Sequence, residues 1–297
     1  MHMTFHCGYV AIVGRPNVGK STLLNRAMGQ KLSITSRKPQ TTRHSILGVK
    51  TTDQAQILYI DTPGLHVNAA KAMNRYMNKT ALNTLNDVDV VAWLVNPRIW
   101  TDDEQFMLKV MSSIKVPVVL VINKIDEMAN KNELLPEIEA LSKKREFNDV
   151  VPLSAKKDIN IDAFEKAIIQ YLPEKEALFP DDQLTDRSAR FLASEIIREK
   201  LMRRVGDEVP YSMTVEIEQF GEEKGITHIH ALIWVERDGQ KAIVVGKGGE
   251  VLKEVGRSAR LDMEELFGCK VFLKLWVKVK SGWSDNLRAL QSLGYKD

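Results

Sequence analysis

The chain has 297 residues, 44 % of them hydrophobic and 27 % charged, and its 42 basic and 39 acidic side chains leave a formal net charge of +3. This composition excludes a disordered chain and a strong polycation, and the length suits two domains, each with its own core. No run approaches the roughly 18 apolar residues of a membrane span, and the N-terminal stretch lacks a signal peptide's charged and apolar regions, so a cytoplasmic protein is expected. Cys7 and Cys269 stand far apart in sequence, which argues against a disulfide framework or a zinc site.

The first predicted element is an apolar strand, Tyr9 to Val13, which runs straight into Gly14-Arg15-Pro16-Asn17-Val18-Gly19-Lys20-Ser21-Thr22. This is a GxxxxGK[ST] phosphate-binding loop. Its glycines let backbone N–H groups surround an anion, Lys20 neutralises the β and γ phosphates, and the Ser21 hydroxyl holds Mg²⁺. A polar stretch, Ser36 to His44, follows and carries the adjacent Thr41 and Thr42. A second strand, Ile57 to Ile60, ends in Asp61-Thr62-Pro63-Gly64. Asp61 can reach Mg²⁺ through water, and the Gly64 N–H can meet the γ-phosphate.

Apolar runs at Val88 to Val95 and Val116 to Ile122 predict two more strands, the latter leading into Asn123-Lys124-Ile125-Asp126. A carboxylate at Asp126 accepts from N1–H and the exocyclic amine of guanine. Adenine lacks that amine, so a site built on this pairing rejects it. A short strand, Val150 to Leu153, precedes Ser154-Ala155-Lys156, where the Ala155 N–H can meet guanine O6. The alternation of strands and helical stretches to about residue 172 predicts a doubly wound, mainly parallel α/β sheet with its ligand groups at the C-terminal strand ends.

Leu65 stands where a small signalling GTPase has a glutamine to orient the attacking water. An apolar side chain cannot do so, and slow unaided hydrolysis resting on backbone groups, Lys20 and Mg²⁺ is expected. None of the six histidines is placed as a general base.

Residues 173–185, with Pro173, Pro180 and four acidic side chains, read as a linker between a domain spanning 1–172 and one spanning 186–297. Asp186 is the expected cap of a helix running to about Val205, with Leu192, Ile196 and Ile197 toward a core and Arg190, Arg198, Arg203 and Arg204 outward. Strands are expected at Ser212 to Gln219 and Thr227 to Val235. Ala242 to Val245 is open between helix and strand. Gly246-Lys247-Gly248-Gly249 then opens a helix from about Glu250 to Phe267, and a strand from Lys270 to Lys280 ends the regular pattern.

A short apolar segment, GxxG with an internal lysine, a helix and a strand resemble the core of a KH domain, whose loop clamps about four single-stranded nucleotides. Residues without Cβ admit a sugar–phosphate chain, and the helix start after Gly249 offers free N–H groups. Lys247, Lys253, Arg257 and Arg260 would form a local basic patch. In the last strand Val271, Leu273, Leu275, Val277 and Val279 share one face, while Lys270, Phe272, Lys274, Trp276, Lys278 and Lys280 share the other. That second face suits RNA, and it equally suits an edge strand guarded by lysines.

In order and spacing, these motifs resemble the Era family of bacterial GTPases along essentially the whole chain. The Gln40 to His44 stretch, Ser194 to Lys200 and Trp276 to Trp283 match that family as well. The resemblance implies a P-loop GTPase domain followed by an α+β type II KH domain. It also implies a Thr42 that closes over the γ-phosphate and ligates Mg²⁺ in the triphosphate state, with Thr41 left open by the residues alone. An asparagine at the position of Asn17 can ligate K⁺ in similar GTPases; tolerance of a strained backbone is the other reading. Further implications are binding near the 3′ end of 16S ribosomal RNA, a role in maturation of the 30S subunit and a peripheral association with the inner membrane; a monomer is expected. A constitutive RNA-binding scaffold whose GTPase domain is uncoupled is the alternative function.

Overall fold

The computed structural model describes residues 4–65, 67, 71–97, 99–128, 130–206, 209–292 and 295. The outermost residues of the two expected domains, 1 and 297, lie outside the described residues. The chain forms two compact units: Met1–Ser33, Thr42–Ala70 and Asn74–Asp186 make the first, and Ile34–Thr41, Lys71–Met73 and Arg187–Asp297 the second.

The first unit is built on a six-stranded sheet of β1 (His6–Val13), β2 (Ile46–Thr51), β3 (Ala55–Asp61), β4 (Val90–Val95), β5 (Val118–Ile122) and β6 (Asp149–Pro152), in the order β2-β3-β1-β4-β5-β6. All neighbours are parallel except β2, which pairs antiparallel with β3 at the edge. β4 and β5 are buried along their whole length, as befits uninterrupted runs of apolar residues covered by helices on both faces. Helices α1 (Lys20–Met28), α2 (Ala72–Thr84), α3 (Asp102–Met111), α4 (Leu134–Ser142) and α5 (Ile161–Ile169) complete the alternating order. The strand β2 was not expected.

Residues 173–185 run along this unit. The fully buried Gln56 acts as a substitute strand neighbour: its Oε1 accepts from the N–H groups of Leu178 and Phe179 at 2.8 and 2.9 Å, and its Nε2 donates to the Phe179 carbonyl at 2.8 Å. The Val49 N–H donates to the Leu184 carbonyl at 2.9 Å.

In the second unit, α6 (Ala189–Arg204), α7 (Asp238–Val245) and α8 (Glu250–Phe267) accompany a three-stranded sheet of β7 (Met213–Glu223), β8 (Ile226–Val235) and β9 (Lys270–Val279), ordered β7-β8-β9. β7 and β8 are antiparallel, with a bulge between Ile217 and Gln219, and β8 and β9 are parallel. Ala193, Ile197, Val255, Ala259 and Met263 from the helices pack against Ile229, Ala231, Ile233, Val271 and Val277 on one sheet face.

Several expectations are corrected here. α6 is capped by Ser188, whose side chain accepts from the Phe191 N–H, and not by Asp186. Arg198, expected on the surface, is 1 % exposed, because two carboxylates accompany it into the interior: its Nε donates to Glu195 at 2.8 Å, and Glu199 is itself fully buried. Glu199 accepts from the Thr35 N–H at 2.9 Å, and Arg198 donates to the Thr41 carbonyl, so Ile34–Thr41 is part of this unit's own structure. Ala242 to Val245 is helical, since Gln240 reaches back to the Glu236 and Arg237 N–H groups at 2.9 and 3.1 Å and starts α7. The regular pattern also continues past β9, into α9 (Leu287–Ser292).

Candidate functional site

The phosphate loop leaves the end of β1 and closes onto the first turn of α1. Gly19 is left-handed (φ 107°), and a Cβ there would stand 2.2 Å from the Asn123 side-chain nitrogen. Gly64 backs onto the same loop, where a Cβ would meet Pro16 Cγ at 2.7 Å. Both positions demand a missing side chain, because the Asn123 amide packs directly on Gly19 and the ring and backbone of Pro16 on Gly64. Asn17 is exposed and also has a positive φ, 61°.

Lys20 is 6 % exposed, with its Nζ donating to the Gly14 and Arg15 carbonyls at 2.9 and 3.0 Å. Burial lowers its pKa to about 8, against the opposing pull of Asp61. Two carbonyls engage two of the three ammonium protons, leaving capacity for a phosphate oxygen.

Ser21, Thr42 and Asp61 come together from α1, the 34–45 stretch and the end of β3. The Ser21 hydroxyl donates to Asp61 Oδ2 at 2.6 Å and lies 2.8 Å from Thr42 Oγ1, and Thr42 Oγ1 stands 3.5 Å from the same carboxylate oxygen. Ser33, which no motif marks, also donates to Asp61 Oδ2, at 2.7 Å. Thr41 turns elsewhere: its hydroxyl donates to the Lys38 carbonyl at 2.6 Å. Burial raises the Asp61 pKa, and hydrogen bonds from Ser21, Ser33 and Thr42 together with the Lys20 charge oppose the rise. The other carboxylate oxygen, Oδ1, is buried with no hydrogen-bond partner. Two hydroxyls and a carboxylate with an unsatisfied buried oxygen fit a hard, oxygen-seeking cation such as Mg²⁺. No group of three or more His, Cys, Asp or Glu side chains among the described residues could hold a metal by itself, so phosphate oxygens would have to complete the shell.

Asn123 joins the base-reading side to the phosphate loop. Its Nδ2 donates to the Val18 carbonyl at 2.8 Å, and its Oδ1 accepts from the N–H groups of Lys124 and Ala155 at 2.8 and 3.1 Å. The Ala155 N–H assigned to guanine O6 is thus engaged by Asn123 in this structure. Ser154 donates to Asp126 Oδ1 at 2.5 Å and orients that carboxylate. Thr62 faces β1, with its hydroxyl donating to the Ile12 carbonyl at 2.9 Å. Pro63 is buried, Thr22 is half-buried in α1, and Lys156 is exposed. Leu65 is fully buried in the core and is removed from any role in holding water.

Arg15 carries a tie that the motifs do not show. Its Nε stands 2.5 Å from Glu104 Oε1, and Glu104 also accepts from the Thr101 N–H at 2.9 Å at the start of α3. The spacing Thr101-x-x-Glu104 is a capping-box signature, so the helix start was detectable, whereas the ion pair was not.

In the second unit, Gly246, Gly248 and Gly249 all have positive φ (75°, 61° and 80°) between α7 and α8. A Cβ at Gly248 or Gly249 would meet nothing within 4 Å. The space over these two residues is therefore open to a ligand's backbone, with the first N–H groups of α8 behind it. Lys253 and Arg257 are exposed on α8, and Arg260 is drawn into an ion pair with Glu264 at 3.0 Å. Cys7 is buried and Cys269 half-buried, both as free thiols.

Comparison with known proteins agrees with both halves. Residues 9–124 match a family described as 50S ribosome-binding GTPase, and 208–284 match the KH domain family. The chain is 57 % identical over 291 residues to the GTPase Era of Pseudomonas aeruginosa (98 % of this chain, 95 % of that one) and 55 % identical, with the same coverage, to that of Marinobacter nauticus. Among solved structures it is similar to a point variant of Aquifex aeolicus Era bound to GDP·AlF₄⁻, with a TM-score of 0.95 and 40 % identity over 99 % of this chain and all of that one. The same values hold for Era in complex with MgGDPNP and nucleotides 1506–1542 of 16S ribosomal RNA.

Proposed function

The chain belongs to the Era family of GTPases, and from that premise we propose that it is a GTP-hydrolysing switch that binds the single-stranded 3′ end of 16S ribosomal RNA through its KH domain and serves in assembly of the 30S subunit. The observation that carries the switch reading is Asn123, whose one side chain holds the phosphate loop, the NKxD box and Ala155 in a single arrangement. We assign the GTPase domain to 1–172, the linker to 173–185 and the KH domain to 186–297, with Ile34–Thr41 and Lys71–Met73 of the first stretch belonging to the second compact unit.

In this reading Lys20 and the loop N–H groups from Gly14 to Ser21 bind the phosphates, Ser21 and Thr42 ligate Mg²⁺, and Asp61 holds it through water. The Gly64 N–H senses the γ-phosphate, and Asp126 reads guanine. When bound, Mg²⁺ would supply charge neutralisation to the phosphates. With Leu65 in the core, its side chain does not orient the attacking water, and slow unaided hydrolysis is the expected result. K⁺ at Asn17 is the proposed substitute for an arginine finger. A tenfold or greater gain in rate in K⁺ over Na⁺, lost in Asn17→Asp, is the expected result.

Gly246 to Gly249, Lys253 and Arg257 form the RNA clamp. The chain passes from the second unit to the first between Thr41 and Thr42, beside the hydroxyl that faces Ser21 and Asp61, and this favours coupling between nucleotide state and RNA binding. The test measures affinity for a single-stranded copy of the 16S 3′ end with the protein loaded with GDPNP or GDP. A clear difference gives the coupling free energy, whereas equal affinity would reduce the KH domain to a passive tether. The Gly248→Asp variant should abolish RNA binding by setting a carboxylate against phosphate and leave GTP hydrolysis intact.

No helix among the described residues is long and apolar enough to cross a membrane. The proposed location is the cytoplasm with a peripheral inner-membrane fraction, for which cell fractionation with and without high salt is the check. A monomer is expected by sedimentation.

A further inference from the structure

We propose that the outer face of the β8–β9 sheet is a second RNA-binding surface, on which Phe272 and Trp276 stack bases and Lys274, Lys278 and Lys280 hold phosphates of single-stranded RNA beyond the few nucleotides taken by the GxxG loop. The helices α6 and α8 cover the inner face of this sheet, and on the outer face Leu232 and Thr214 are buried, the latter against Tyr295, so the open part is the β9 edge around Phe272 and Trp276. On the outer face the parallel register sets His228 beside Phe272, His230 beside Lys274, Leu232 beside Trp276 and Trp234 beside Lys278. Phe272 and Trp276 are each 43 % exposed, a large apolar area to leave in water on an edge strand. Four residues apart on one strand, they stand about 13 Å from each other, with Lys274 between them.

The rings are held rather than loose. Phe272 packs on His228 with centroids 5.1 Å apart, and Trp276 meets His230 edge-on at 5.5 Å. The lysines lie over rings instead of pairing with acids: Lys274 Nζ is 5.5 Å from the Phe272 centroid, and Lys278 and Lys280 are 5.9 and 5.5 Å from that of Trp234. None of the three has a carboxylate partner among the described residues, in contrast to Lys270 at the strand start, which is 3.8 Å from Glu264. The neighbouring Glu216 accepts from the Trp234 indole N–H at 2.8 Å and forms no ion pair with these lysines. A polyanion whose repeating unit carries a flat π-surface matches unpaired cations alternating with exposed rings. Lysines that merely guard an edge account for the charge but not for Phe272 and Trp276, which would promote the association that edge charges prevent.

The proposal rests on the second domain being an RNA binder, and the two can be separated. Affinity is measured by fluorescence anisotropy with the full chain and two single-stranded RNAs copying the 16S 3′ end, one of about four nucleotides and one of about twelve. Phe272→Ala/Trp276→Ala should weaken the longer RNA by tenfold or more and leave the shorter unchanged. Lys274→Gln/Lys278→Gln/Lys280→Gln should lower the slope of log affinity against log salt by about 0.7 per lysine for the longer RNA alone. Wild-type binding of the longer RNA by the ring variant, with melting temperature and GTP hydrolysis retained, overturns the proposal, as does equal loss for both RNAs. The lysine variant decides the matter if the ring variant is unstable. Gly248→Asp is the separate control: unchanged affinity for the shorter RNA in that variant refutes the GxxG clamp without touching the sheet result.

Discussion

The Glu104 carboxylate stands 2.5 Å from Arg15 Nε, and 1 % of the Glu104 side chain is exposed against 18 % of the Arg15 side chain. One residue thereby caps α3 and fixes a side chain of the phosphate loop. Glu104→Ala should lower the unfolding free energy by about 2–3 kcal/mol, roughly 1 from the cap and the rest from the broken pair. Glu104→Gln keeps an N3 acceptor and should lose less. Urea denaturation of both variants checks the order: equal losses would show that the cap contributes nothing, and an unchanged Glu104→Gln that the ion pair contributes nothing.

Thr42 and Thr41 differ in direction, since only Thr42 faces Ser21 and Asp61. Thr42→Ala should reduce GTP hydrolysis tenfold or more and raise the Mg²⁺ concentration needed for half-maximal rate. Thr41→Ala should stay within about twofold of wild type. Reversed effects in a Mg²⁺ titration of the two variants would transfer the ligand role to Thr41.

Burial moves Lys20 from its ordinary 10.5 to about 8. Between those values the unfolded chain carries a proton that the folded, nucleotide-free protein lacks, so this group makes stability rise with pH from about 8 to 10.5. Below that window both states are protonated and the group contributes no slope. Phosphates restore the charge, so nucleotide binding at pH 8.5 should take up about three-quarters of a proton. Calorimetry in buffers of different ionisation enthalpy measures this directly, with Lys20→Met as the control that should take up none.

Gln56 gives both ends of its amide to the backbone of 178–179. Replacing it with alanine leaves two N–H groups and a carbonyl without partners, at a cost of about 3 kcal/mol. Amide exchange at Leu178 and Phe179 should then quicken while exchange in β4 is little changed.

The nucleotide motifs were legible because each compresses its chemistry into adjacent residues at a strand end, where backbone geometry and side-chain type are read together. α8 was equally plain, flanked by Gly249 and Gly268, both left-handed. What escaped was pairing across the fold. Ser33 looks like any loop serine, yet it donates to Asp61. Arg198 reads as surface until Glu195 and Glu199 are seen to be buried with it. The six-residue β2 is short, contains a glycine and pairs antiparallel, so it broke the βα rhythm that exposed the other strands.

A methyl group at position 19 would collide with the amide of Asn123, a residue over one hundred positions away that also supports the guanine-reading loop. Base discrimination and phosphate capture therefore depend on one shared side chain. An incompletely folded chain would have neither, and bound guanine nucleotide in a newly made molecule would certify that its β1–β5 framework is in place. Nucleotide occupancy would in this way act as a quality mark of the fold.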